Sequence, residues 1–248
     1  MCGIAGIIGK PTVDEIIPIL HNLQIRGIDA TGVGLNCPDT YRTLKAGIDA
    51  EAFCQLPGFQ ANLTKHSKFA TIALLHTRQA TNGTPSNNRN NHPIWNQKGV
   101  IIHNGIVYTS KHYKAIGDTD TEQMLECITQ KGLTKGIPEL SGTFAFAYQS
   151  FKNRHIVYLY KHISPLCLGV KNRNIYFCST PEILQGAIGS YHPIKLKHHT
   201  LYRIDAQKRI IEKIGKVKPK YNNYTTPYSW QHYFGEYQEY LGEELYYD

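Results

Sequence analysis

Runs of β-branched and aromatic residues, each four to eight long, recur from the start of the chain to about residue 214, and they constrain the fold more than any other feature. They are Cys2–Ile8, Thr31–Leu35, Tyr41–Lys45, Ala70–His76, Val100–Val107, Thr143–Gln149, His155–Tyr160, Leu166–Val170, Ile175–Cys178, Thr200–Ile204 and Arg209–Ile214. Each reads as a strand. Helical signals are fewer: Ile16, Ile17, Leu20 and Leu23 predict a helix over Val13–Gln24, and the capping-box sequence Thr119-Asp120-Thr121-Glu122 predicts a second to about Gln130. Many strands, helices in the first half and hairpin-like spacing later favour an α+β layered fold. A chain of 248 residues with 41% hydrophobic content buries one good core, and a single domain is expected.

The six cysteines are scattered, with no spacing that suggests a zinc knuckle or a redox pair, so neither metal nor cofactor is expected. That usage fits a reducing compartment. With no signal-like N-terminus and no run of membrane-spanning length, a cytoplasmic protein is expected, with no membrane partner.

Charge is uneven. The net figure is +8, yet from Tyr221 to Asp248 there is no lysine or arginine and there are five acids, Glu236, Glu239, Glu243, Glu244 and Asp248. This divides the chain into a basic body, residues 1–220, and an acidic, tyrosine-rich segment, residues 221–248. In that segment Trp230, Tyr233, Phe234, Tyr237, Tyr240 and Leu241 repeat at helical spacing behind Ser229, which predicts a helix packed on the body or docked on a partner. A basic body attracts anions, and a partner that modifies nucleotides or nucleic acid stays open, although no nucleic-acid motif is present.

Cys2 follows the initiator methionine. If Met1 is removed, the chain starts with a thiol and a free α-amine on one residue, a nucleophile with its own general base, because an α-amine titrates at about 7.7–8.0. The plainer reading is a small residue beside a start codon. Three further features bear on the choice. Arg78 ends a strand and opens a polar loop, Asn82–Asn91, where its planar fork suits a carboxylate. Asn104-Gly105 offers two adjacent N–H donors for an oxyanion, and is equally a strong turn signal. Asp120 at a helix start suits the macrodipole and also an ammonium group.

Taken in order, Cys2-Gly3-Ile4-Ala5-Gly6, Arg26-Gly27-Ile28-Asp29-Ala30-Thr31-Gly32, His76-Thr77-Arg78-Gln79-Ala80-Thr81-Asn82-Gly83, Asn91-His92-Pro93, His103-Asn104-Gly105 and Asp120-Thr121-Glu122 closely resemble the class II glutamine amidotransferase domain. Ser141-Gly142-Thr143-Phe144-Ala145-Phe146, Ser164-Pro165-Leu166 and Phe177-Cys178-Ser179-Thr180-Pro181-Glu182 extend the resemblance, which covers roughly residues 2–205. It implies the N-terminal-nucleophile hydrolase fold, a four-layer αββα sandwich of two antiparallel sheets between helices. It also implies that Cys2 attacks the side-chain amide of L-glutamine and forms a thioester, with Asn104 and Gly105 holding the oxyanion. Arg78 would hold the substrate α-carboxylate and Asp120 its α-ammonium. Arg26, Thr81 and Gly83 match positions near the pocket, and His76, His92 and His103 are read as scaffold or supporting residues. Gln79 and Asn82 depart from the residues many relatives carry there, which bears on affinity and loop behaviour.

In the family such a domain supplies ammonia to a synthase, so a separate ammonia-acceptor enzyme is the expected partner. Two other readings stand beside it: an amidase or γ-glutamyl hydrolase acting on a glutamine-like group of a larger molecule, and a non-catalytic binding protein.

Overall fold

The structure, a computed structural model, describes residues 1–110, 113 and 117–219. The expectations for residues 221–248 lie outside them. Chain order runs β1 (Gly3–Ile8), α1 (Val13–Leu23), β2 (Ala30–Asn36), β3 (Tyr41–Ala46), α2 (Ala50–Gln55), α3 (Phe59–Ser67), β4 (Ile72–Arg78), β5 (Ile94–Trp95) and β6 (Gly99–Thr109). It continues with α4 (Asp120–Lys131), α5 (Leu133–Gly136), β7 (Leu140–Ser150), β8 (Ile156–Lys161), β9 (Cys167–Lys171), β10 (Asn174–Cys178), α6 (Pro181–Ile188), β11 (His192–Ile194), β12 (Thr200–Asp205) and β13 (Ile210–Lys216). No helix among the described residues is long and apolar enough to cross a membrane.

Two antiparallel sheets result, ordered β11-β9-β10-β1-β4-β2-β3 and β13-β12-β8-β7-β6-β5. Strand alternation sorts their side chains into three apolar layers. In β1, Ala5 and Ile7 pack under α1, α2, α3 and α6, with Ile16, Leu20, Phe53, Leu63 and Leu184. Ile4 and Ile8 point the other way and meet Val100, Ile102, Ala145 and Leu159 of the second sheet. That sheet's outer face, Ile101, Phe144 and Phe146, packs against Met124, Leu125 and Ile128 of α4. The order is helices, sheet, sheet, helices, the four-layer αββα arrangement.

Three local readings change. Residues 103–105 form no turn: Asn104 and Gly105 lie inside β6, opposite Ala145 and Phe144. Gly105 takes φ 129°, and a Cβ there would stand 1.8 Å from the Thr143 carbonyl oxygen, so glycine is required by both conformation and space. Helices are not confined to the first half, because Thr180 caps α6 and Pro181 opens it. The capping box of α4 is half-formed. Thr119 Oγ1 accepts from the Glu122 amide at 3.4 Å, but the Glu122 carboxylate accepts from the Gly117 amide.

Candidate active site

The sheet-to-sheet layer has a polar end, and strand alternation places the residues there. In β4, Ile72 and Leu74 face the second sheet, so His76 and Arg78 do too. Thr77 points the opposite way, and its hydroxyl donates to the Leu23 carbonyl at 2.9 Å. In β6, Val100 and Ile102 face the first sheet, and Asn104 continues their row. Cys2 precedes Gly3, which pairs with Thr77, so the thiol comes to the same end as Arg78.

Cys2 is half-buried and its thiol donates to the Gln79 carbonyl at 3.5 Å. Burial pushes that thiol up; Arg78 opposes the shift and Asp120 adds to it, so a cation and an anion both act on the sulfur. The Met1 amine is lowered by burial, and while Met1 is attached the nitrogen of Cys2 is a peptide nitrogen. Arg26 is buried and its Nε donates to the Cys2 carbonyl at 2.9 Å. Beside it Gly27 lies so close to the backbone of Arg78 and Gln79 that a Cβ would approach them to 2.4 Å. Asp29 completes the clamp: its amide donates to the Arg78 carbonyl at 2.9 Å, and its carboxylate accepts from the Ala80 amide at 2.7 Å and from Gln79 Nε2 at 3.1 Å.

Arg78 is buried, and three of its N–H groups are held by the loop that follows it. Nη1 donates to Asn91 Oδ1 at 3.0 Å; Nη2 donates to the Gly83 carbonyl at 2.9 Å and to the Asn82 carbonyl. Gly83 thus acts through its carbonyl, at φ 66°, whereas Thr81 is exposed at the rim. Lys45 reaches the same loop from β3, its Nζ donating to the Asn91 and Pro93 carbonyls at 2.6 and 3.1 Å, and burial lowers this amine to about 8.

Asp120 opens α4 but turns back to β6, where one carboxylate oxygen accepts from the Val107 amide at 2.9 Å. Asn104 is buried with neither amide atom hydrogen-bonded. An unpartnered amide in a dry interior is a standing donor for an oxygen that arrives with negative charge.

Three imidazoles pack around this end. His76 stacks on His92 with centroids 3.9 Å apart and donates through Nε2 to the His103 carbonyl at 3.2 Å. Burial lowers His76 to about 3 and depresses His92 and His103 as well, so all three are neutral near pH 7. Among the described residues no group of three or more His, Cys, Asp or Glu side chains is disposed to hold a metal ion. A cleft of about 520 Å³ lined by His21, Asn22, Gln24, Ile25, Ile28, Asp49 and Glu51 includes none of Cys2, Arg78, Asn104 or Asp120.

The fold therefore gathers Cys2, Arg26, Arg78, Gly83, Asn104, Gly105 and Asp120 at one end, with Thr81 on the rim. Asp29, Asn91 and Thr121 stand in the quoted motifs without a role read for them, and Lys45 carries no sequence signal beyond a charge at a strand end.

Comparison with known proteins fits this geometry. A family profile described as "Glutamine amidotransferase domain" matches residues 76–186. Over 205 residues the chain is 31% identical to the glutamine–fructose-6-phosphate aminotransferase (isomerizing) of Listeria monocytogenes, covering 75% of this chain and 33% of that protein. The Clostridium tetani protein of the same name is 28% identical over 87% of this chain and 37% of its own length. The chain thus spans about a third of these relatives. Among solved structures, glutamine phosphoribosylpyrophosphate amidotransferase from B. subtilis superposes with a TM-score of 0.66 at 16% identity, over 86% of this chain and 49% of that one.

Proposed function

Because the chain carries a class II glutamine amidotransferase domain, we propose that residues 1–220 hydrolyse the side-chain amide of L-glutamine, with Cys2 as nucleophile, and release ammonia for an acceptor enzyme. The observation that carries this is the meeting of a half-buried thiol with Arg78, Asp120 and the unpartnered amide of Asn104 at one end of the sheet-to-sheet layer.

The reaction divides into two displacements. The free α-amine of Cys2 takes the thiol proton and the sulfur attacks the amide carbon of glutamine. Asn104 Nδ2 and the Gly105 amide receive the oxyanion, whose stabilisation by such donors is worth about 3 kcal/mol each. The carbon–nitrogen bond then breaks, the amine returns its proton to the leaving nitrogen, and ammonia departs from a thioester. Water, deprotonated by the same amine, cleaves the thioester and frees glutamate and the thiol.

Charge selects the substrate. Arg78 takes the α-carboxylate and Asp120 the α-ammonium, a pair that a simple amide cannot satisfy. Since the loop carbonyls of Asn82 and Gly83 occupy one nitrogen of the Arg78 fork, bidentate capture displaces at least one of them, and glutamine binding is coupled to loop position. Arg26 keeps the Cys2 backbone in place. Ammonia is largely protonated in neutral water and the ion is not a nucleophile, which favours an acceptor docked at the site.

Mass spectrometry paired with a glutaminase assay tests the reading. Protein beginning at Cys2 should form glutamate from glutamine, and both the Cys2→Ala variant and protein retaining Met1 should not. Full activity with Met1 attached would overturn the mechanism. Preference for γ-glutamyl compounds over free glutamine would move the assignment to a γ-glutamyl hydrolase.

A further inference from the structure

Thr121 has three polar neighbours and one proton. Its Oγ1 lies 3.1 Å from His92 Nε2, 3.0 Å from His103 Nδ1 and 3.4 Å from Asp120 Oδ1. A hydroxyl donates once and accepts twice, and an ionised carboxylate only accepts. The Thr121 proton therefore goes to Asp120, and both imidazoles must donate to the hydroxyl oxygen. This fixes the tautomers: His92 carries its proton on Nε2 and His103 on Nδ1. The lone pairs that remain, on His92 Nδ1 and His103 Nε2, are the two imidazole nitrogens of the cluster that are buried without a partner. The opposite arrangement would bury unpaired N–H donors at those places, a costlier state than bare lone pairs in an apolar setting. The imidazoles are neutral, so neither has a second proton to offer.

We propose that Thr121 is a positioning residue for Asp120. Through its hydroxyl, two neutral histidines on separate elements hold one oxygen of the carboxylate, while the Val107 amide holds the other. With both oxygens anchored, the carboxylate cannot rotate and its outward lone pairs stay aimed at the α-ammonium of the bound amino acid. His92 and His103 act through Thr121 and do not touch substrate. This inference rests on the glutamine reading of the site, and it adds to that reading a residue between the scaffold and the substrate clamp.

The test compares wild type, Thr121→Val and Thr121→Ser, each beginning at Cys2, on glutamine and on glutaramate, which has the side-chain amide and carboxylate of glutamine without its α-ammonium. Loss of a hydrogen bond to a charged group predicts that Thr121→Val raises KM for glutamine by about fivefold to tenfold with little change in kcat, and that Thr121→Ser restores it. On glutaramate the valine variant should match wild type. Equal losses on both substrates, or no rescue by serine, would overturn the proposal, because either result marks a purely structural role. Nitrogen-15 NMR of the histidine rings is independent of turnover: wild type should show the Nε2–H tautomer for His92 and the Nδ1–H tautomer for His103. The reverse tautomers would overturn it even if the protein hydrolysed nothing, whereas absent glutaminase activity with these tautomers would fail the glutamine reading alone.

Discussion

Asn104 differs from the other buried polar side chains described. Several leave one atom unpaired, but Asn104 leaves both its amide nitrogen and its carbonyl oxygen unpaired in the interior. Each such atom costs about 1–3 kcal/mol relative to one that is hydrogen-bonded, so the folded chain carries a penalty there that removal of the amide relieves. If the donor serves an oxyanion, stability and activity must move apart on substitution. Asn104→Ala is expected to leave thermal stability unchanged or slightly higher and to lower kcat for glutamine by about a hundredfold to a thousandfold, with KM nearly constant. Calorimetry beside steady-state kinetics checks this, and a large fall in Tm with unchanged kcat would make Asn104 a structural residue. The order of motifs in the sequence singled out this residue as a candidate, along with Cys2, Arg78, Gly105 and Asp120. It did not make legible what holds them. That Arg26 grips the Cys2 carbonyl, or that Asp120 accepts from Val107, depends on how a helical segment folds back on the strand before it, 24 and 13 residues away in the chain. No local pattern encodes that.

Among the helices, legibility followed length. α1, with 11 residues, is long enough to show its apolar stripe, and α4, with 12, is announced by the residues of its cap. α2 and α3 have six and nine residues and bury only Ala50, Phe53, Cys54 and Phe59, Leu63, Ser67 respectively, too few positions to establish a period. α6 did carry a start signal, Thr180-Pro181, but it follows β10 so closely that it reads as the strand's end. The loop after β4 reads simply as polar, whereas the structure ties it down from a strand at the far side of the sheet. Lys45 of β3 donates to the carbonyls of Asn91 and Pro93 and itself accepts, through its backbone carbonyl, from Asn88. Lys45→Met keeps the buried stem and removes both donors, leaving two carbonyls short of a partner. Limited proteolysis should then cut within residues 82–91 faster than in wild type, and KM for glutamine should rise because Asn91 also anchors Arg78. Unchanged cleavage and unchanged KM would remove Lys45 from the machinery that sets the loop.

At the scale of the whole molecule, three apolar layers supply the cohesion, and His76, His92, His103 and His162 are enclosed within it, while His199 is half-buried and His198 exposed. His76, His92 and His103 lie at the site, and His162, His198 and His199 form a second group in which His162 Nδ1 and His199 Nε2 are 2.7 Å apart. All six are depressed from the ordinary value of 6.5, first by burial, with His76 at about 3 and His162 at about 4. The sign of the consequence follows. As pH falls through 6.5 the unfolded chain takes up protons on these imidazoles while the folded chain does not, so the unfolded state gains free energy of binding and the fold loses stability. The loss continues until the folded-state values are reached. Carboxylates mostly remain ionised above pH 5, so the upper part of this window belongs to the histidines. Tm should therefore fall steeply between about pH 7 and pH 5, with a slope of unfolding free energy against pH corresponding to more than one proton taken up. Replacing His76 by Gln should make that slope shallower. A flat profile over this range, or one unchanged in the His76→Gln variant, would mean that the buried cluster is not held neutral by the fold.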